Sequence, residues 1–149
     1  ESLKNLIQLP RLAIQENNIS SIEPLRNLVN LEYLYLSNTL IFDIEPLKNL
    51  TKLQVLELDK MKINSIEPLR NLKNLEILHI SEIQISDLGV LSDLNNLRIL
   101  GIWNTPVSDL EPFKNLTKLQ SLSISKSSNI TTEQIEDLKK ALPKLIIYK

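Results

Sequence analysis

A leucine recurs at Leu9, Leu31, Leu53, Leu75, Leu97 and Leu119, each 22 residues after the last, within the pattern L-x-x-L-x-[LI]-x-x-x-x-[IV]-x-x-[IL]-x-P-[LF]-x-x-L-x-x. A unit this short cannot bury an apolar face alone. It must stack on copies of itself, and a chain of such units folds as a solenoid whose core is a continuous stack. With the recurring leucine as position 1, positions 4 and 6 carry Leu or Ile (Leu34 and Leu36, Leu56 and Leu58, Leu78 and Ile80), whereas positions 3, 5 and 7 vary. That alternation has the period of a half-buried strand. It predicts strands near residues 11–13, 33–35, 55–57, 77–79, 99–101 and 121–123.

The rest of each unit is equally patterned. Position 11 (Ile19, Ile41, Ile63, Ile85, Val107), an Ile or Leu at position 14, and a pair at positions 17 and 20 are expected to fill the stack. Proline at position 16 (Pro24, Pro46, Pro68, Pro112) suits the first turn of a short helical return segment, because its fixed φ is compatible and its missing N–H would be unpaired there anyway. Val90, beside Gly89, is the exception.

The unit L-x-x-L-x-L-x-x-N-x-I-x-x-I-x-P-L-x-x-L-x-x, as in Leu53 to Asn74 with Glu67-Pro68-Leu69-Arg70-Asn71-Leu72, resembles the internalin-type leucine-rich repeats of bacterial surface proteins over roughly residues 1 to 130. It is also similar to the phosphatase-regulator repeats of eukaryotic intracellular adaptors. The resemblance implies an α/β right-handed solenoid with a parallel sheet on its concave face and short 3-10 or α segments on its convex face. It further implies a non-enzymatic module that binds a protein partner, without cofactor, at the cell surface or outside the cell; a cytoplasmic scaffold is the alternative. One departure stands out. Where the family carries asparagine at position 9, this chain has Asn17, Thr39, Met61, Ile83, Thr105 and Ser127, so the backbone groups that an asparagine ladder would satisfy need other partners.

The two ends differ. Glu1-Ser2-Leu3-Lys4-Asn5-Leu6 lies 22 residues before Glu23-Pro24-Leu25-Arg26-Asn27-Leu28, so the chain starts within a repeat, and earlier repeats, a cap or a leader peptide are expected before Glu1. An uncapped end would leave Leu3, Leu6, Leu12 and Ile14 with one unpacked side, for which self-association or fraying of residues 1–9 is the expected outcome. At the other end the period fails after Leu119. There Thr131-Thr132-Glu133-Gln134 reads as a capping box. A helix is predicted to follow, with Ile135, Leu138, Ala141 and Leu142 at helical spacing and Pro143 closing it, and then an edge strand from Leu145 to Tyr148. The expected organisation is one domain over residues 1–149: a partial repeat at 1–8, five repeats over 9–118, and a last repeat with its cap over 119–149.

Composition narrows the partner. The net charge of −1 supplies no electrostatic footprint for nucleic acid. No apolar run approaches the ~20 residues that span a bilayer, so no membrane insertion is expected of this segment. The absence of cysteine excludes disulfides and thiolate metal sites.

Function is therefore sought on the concave sheet face, whose outward residues the stacking does not dictate. Positions 3, 5 and 7 place Tyr33, Tyr35, Val55, Ile77, Ile99 and Trp103 there, together with the polar Glu57, Asp59, His79 and Ser81. Large rigid aromatics anchor protein interfaces, although Val55, Ile77 and Ile99 also pair as a sheet-stabilising stripe. Glu57, Asp59, His79 and Ser81 should form a square on adjacent strands, which reads as the polar part of a binding face rather than as a catalytic or metal site, since a shallow sheet offers no oxyanion hole and no strained nucleophile. Glu23 and Arg26, Glu45 and Lys48, Glu67 and Arg70, and Glu111 and Lys114 lie three apart and read as a solvated convex face. Four N-x-[ST] sequons (Asn18, Asn49, Asn115, Asn129) carry no weight in so Asn-, Ser- and Thr-rich a repeat.

Overall fold

The computed structural model describes residues 7–126 and 129–149. Among them, β1 (Arg11–Gln15), β2 (Tyr33–Ser37), β3 (Val55–Glu57), β4 (Ile77–His79), β5 (Ile99–Gly101), β6 (Ser121–Ser123) and β7 (Ile146–Tyr148) form one open parallel sheet in chain order. The strands start where the alternation predicts. From β1 to β6 every residue faces the one 22 positions on, as in Tyr33 opposite Val55 and Glu57 opposite His79. At the entries of β2 to β6 one carbonyl accepts two N–H groups of the next repeat: Glu32 O from Gln54 and Val55, Gln54 O from Glu76 and Ile77.

Between strands the chain returns through 3-10 segments at Glu23–Asn27, Glu45–Leu47, Glu67–Leu69, Gly89–Asp93 and Glu111–Phe113. Proline opens four of them, as its φ requires. Ahead of each stands a cap that the position-16 pattern does not announce: the side chains of Ser21, Asp43, Ser65, Asp87 and Asp109 accept from the N–H two residues on, at 2.8–3.3 Å. The acid and base pairs three apart form ion pairs on this side, all substantially solvated. Solvent screens such exposed pairs, so they add little to stability.

Positions 1, 4 and 6 from Leu31 onward point inward and are buried, joined by positions 14, 17 and 20 in one continuous core. In the first unit Leu9, Leu12 and Ile14 are only partly buried, and Ile19, expected to fill the stack, is 39% exposed. Among the described residues they have a packed neighbour on one side only. Leu3 and Leu6, to which the expected N-terminal exposure also refers, lie outside the described residues, as does Ser127.

Position 8 is left-handed in every repeat (Glu16, Asn38, Lys60, Glu82, Asn104 and Lys126, φ 51 to 62°). The first five donate their N–H to the position-7 carbonyl of the next repeat, for example Asn38 to Asp59 and Lys60 to Ser81. None is glycine; the conformation costs the Glu and Lys residues about 1–2 kcal/mol each, and in the first five it is held by that inter-repeat bond. Met61 and Ile83 fill the asparagine ladder's place with apolar packing, Thr105 donates to the Ile102 carbonyl, and the buried Thr39 hydroxyl has no partner among the described residues. A different ladder runs at position 22, where Asn30, Asn74 and Asn96 donate to the carbonyls of Ile7, Thr51 and Lys73 at 2.7–2.9 Å.

The closing helix, α1 (Thr132–Ala141), begins with the reciprocal box read from the sequence: Gln134 N–H to Thr131 Oγ1, and Thr131 N–H to Gln134 Oε1. The Gln134 amide also donates to the Ser108 carbonyl at 2.7 Å, tying the cap to the preceding repeat. Ile135, Leu138 and Leu142 turn into the core while Ala141 stays exposed. Because this helix is longer than the segments it replaces, the last register step widens, with Ser121 opposite Ile146.

Leu56, fully buried on β3, tests the stack. Leu56→Ala should cost about 2–5 kcal/mol in urea denaturation, against about 0.5 kcal/mol or less for the exposed Asn71→Ala. A cost for Leu56→Ala below about 1 kcal/mol would refute the continuous core.

Candidate functional site

The face of the sheet turned away from the core is assembled by register alone. One row brings Tyr33, Val55, Ile77 and Ile99 side by side, all half-buried; the next brings Tyr35, Glu57, His79 and Gly101. At the β1 end the Arg11 guanidinium lies over the Tyr35 ring, 5.0 Å from its centroid, a cation–π contact. At the other end the rows continue into exposed Ile146 and Tyr148 on β7. The face thus carries all three tyrosines, Tyr148 as well as Tyr33 and Tyr35.

Trp103 does not simply project into solvent. Gly101, at an outward position, is buried because the Trp103 ring folds across it, and a Cβ at 101 would overlap that ring and approach His79 Cδ2 to 3.0 Å. The indole meets the His79 imidazole edge-on, with centroids 5.5 Å apart. A glycine among outward strand positions is the one sequence signal of this arrangement.

Beside this aromatic pair lies the polar group. Donor atoms of Glu57, Asp59 and His79 all fall within 4.8 Å of one another. Glu57 Oε1 accepts from the Ser37 hydroxyl at 2.5 Å and the Gln15 amide at 3.3 Å, and Asp59 Oδ1 accepts from the Ser81 N–H at 2.9 Å. Ser81 departs from expectation: it is 1% exposed, and its hydroxyl sits beside the Asp59 carboxyl without a well-formed hydrogen bond. So covered a hydroxyl cannot be presented to a substrate. Burial raises the Asp59 pKa above the ordinary carboxylate value and Glu57 adds to that, opposed by the Ser81 N–H, the His79 ring and the Ser81 hydroxyl.

Two outcomes check this geometry. A native pKa above the unfolded one means that the folded chain holds the Asp59 proton more tightly, so this group's contribution to stability is lost as pH rises through its folded pKa. Asp59→Asn, which keeps an acceptor for the Ser81 N–H, should therefore match or exceed the parent's stability at pH 7. The parent should gain on it as pH falls through the carboxylate range. A variant clearly less stable than the parent at pH 7 would contradict the assignment. Gly101→Ala should expel the indole from its seat, red-shifting Trp103 fluorescence, and an unchanged spectrum would exclude the seat.

Residues 7–49 and 95–140 match the family model of leucine-rich repeats, in two copies. No curated protein sequence matches the chain. Among solved structures, internalin C2 of Listeria monocytogenes is 32% identical with a TM-score of 0.86, over 97% of this chain and 63% of that one. An internalin of the same organism, inlF, is 29% identical with a TM-score of 0.78, over 98% and 48% of the two chains. A leucine-rich repeat protein of Leptospira interrogans is 26% identical with a TM-score of 0.86, over 99% and 38%. The chain spans less than two thirds of each of these proteins. With a 22-residue period carried through six strands and this match to family and structures, the chain belongs to the leucine-rich repeat family and its repeats are of the internalin type.

Proposed function

We propose that the chain is a non-enzymatic recognition module, part of a bacterial surface or secreted protein, that binds a protein partner through the outward face of its sheet. The observation that carries the reading is the contiguous apolar and aromatic surface of Tyr33, Tyr35, Val55, Ile77, Ile99 and Trp103, set beside Glu57, Asp59 and His79. The core does not require these side chains, since positions 4 and 6 of the same strands supply it. Rigid aromatics flanked by a few oriented polar groups are what a protein interface uses: the rings supply area at low entropic cost, and the polar groups set register. The bacterial internalins among the structural neighbours favour this setting over an intracellular adaptor.

A photo-crosslinking residue at position 35 should capture the partner, whereas one at Asn71 on the opposite side should not. Against the captured partner, Tyr35→Ala and Trp103→Ala should each weaken binding by about 30-fold, corresponding to about 2 kcal/mol. Arg70→Ala should bind like the parent. If both aromatic variants fold and bind like the parent, the outward face is not the binding surface.

A further inference from the structure

Glu57 at the end of β3, Asp59 in the turn beyond it and His79 at the end of β4 bring two carboxylate oxygens and an imidazole nitrogen within 4.8 Å of one another. We propose that these three side chains bind a divalent transition-metal ion of the zinc type, on the outward face and open to solvent on one side. Donors around a tetrahedral zinc at about 2.0–2.2 Å stand about 3.3–3.6 Å apart, a contraction within reach of small side-chain rotations. The imidazole selects the metal: nitrogen beside oxygen donors suits zinc, cobalt, nickel or copper better than calcium or magnesium, which prefer oxygen alone.

Three further observations converge on the same point. Among the described residues the Ser81 hydroxyl, almost completely buried beside Asp59, has no well-formed hydrogen bond, and a buried hydroxyl left in that state is costly. A carboxylate drawn toward a metal, or a water on the metal, would give it a hydrogen-bond partner. Each ligand is already oriented by a neighbour, as metal ligands generally are: Glu57 by Ser37 and Gln15, Asp59 by the Ser81 N–H, and His79 by the Trp103 ring. The negative charge is also uncompensated. Among the described residues neither Glu57 nor Asp59 has an ion pair with lysine or arginine, and Lys60 turns to Glu82 at 3.6 Å instead. Three protein ligands leave a coordination position free for water or for an incoming donor group.

The site stands or falls on the chain alone, independently of any protein partner, and the chain suits the test because His79 is its only histidine and it has no cysteine. Tag-free protein titrated with zinc chloride in a calorimeter should take up one ion per chain at submillimolar concentration, undisturbed by equal magnesium or calcium. The ring signals of His79 should shift in step with uptake, and zinc should raise the melting temperature. His79→Gln and Asp59→Asn, whose fold is checked by circular dichroism without metal, should each weaken binding by about tenfold or more. Absence of saturable uptake, His79 signals that do not move, or affinity retained in either folded variant overturns the proposal.

Discussion

Every strand of this molecule finds its hydrogen-bond partner one repeat away in the chain. Residue i pairs with residue i+22 from β1 to β6, and the same spacing governs the strand-entry carbonyls and the left-handed residues at position 8. The face that a side chain presents is therefore inherited by the whole column in which it stands. A one-residue slip would turn the leucines of positions 4 and 6 to solvent and the outward residues into the core. Once that register holds, stacking of leucines supplies the stability, and the solvated ion pairs of the return segments contribute little.

Because register is set by period, the columns are legible in the amino-acid sequence itself. The strand starts, the proline-led return segments, the reciprocal Thr131–Gln134 cap and the opposition of Glu57 and His79 all follow from counting. Features that depend on a backbone state with no common residue type do not. Position 8 is left-handed through Glu, Asn, Lys, Glu, Asn and Lys, a set with no shared side-chain chemistry and no glycine. The bond to the next repeat, rather than local preference, holds the conformation, so only the assembled stack reveals it. Ile19 escapes for the opposite reason, since its exposure reflects what packs beside it and not its own repeat.

The candidate site divides along the same line. Its membership is countable, but its geometry depends on side-chain directions that register leaves open. Ser81 occupies an outward position and is nonetheless covered, and Trp103 lies down because Gly101 leaves room for it. That seat fixes the edge of His79, so the aromatic and polar halves of the surface are mechanically joined. A face that looks like a row of independent variable positions behaves as two linked clusters.

The asparagines at position 22 have one more consequence. Each reaches back to a carbonyl 23 residues earlier, Asn30 to Ile7, Asn74 to Thr51 and Asn96 to Lys73, and each of these bonds, like the sheet ladder, joins a repeat only to its neighbour. Duplicating or deleting one whole 22-residue segment in the interior would re-form every such bond between new neighbours and strand none. Gene-level unequal crossing-over in phase with the period thus leaves these repeating bonds intact, although contacts peculiar to one pair of repeats, such as His79 with Trp103, change, while a change out of phase breaks the columns at once. Such an array can be lengthened or shortened in evolution by whole steps, with the outward sheet face growing or shrinking by one strand's width each time.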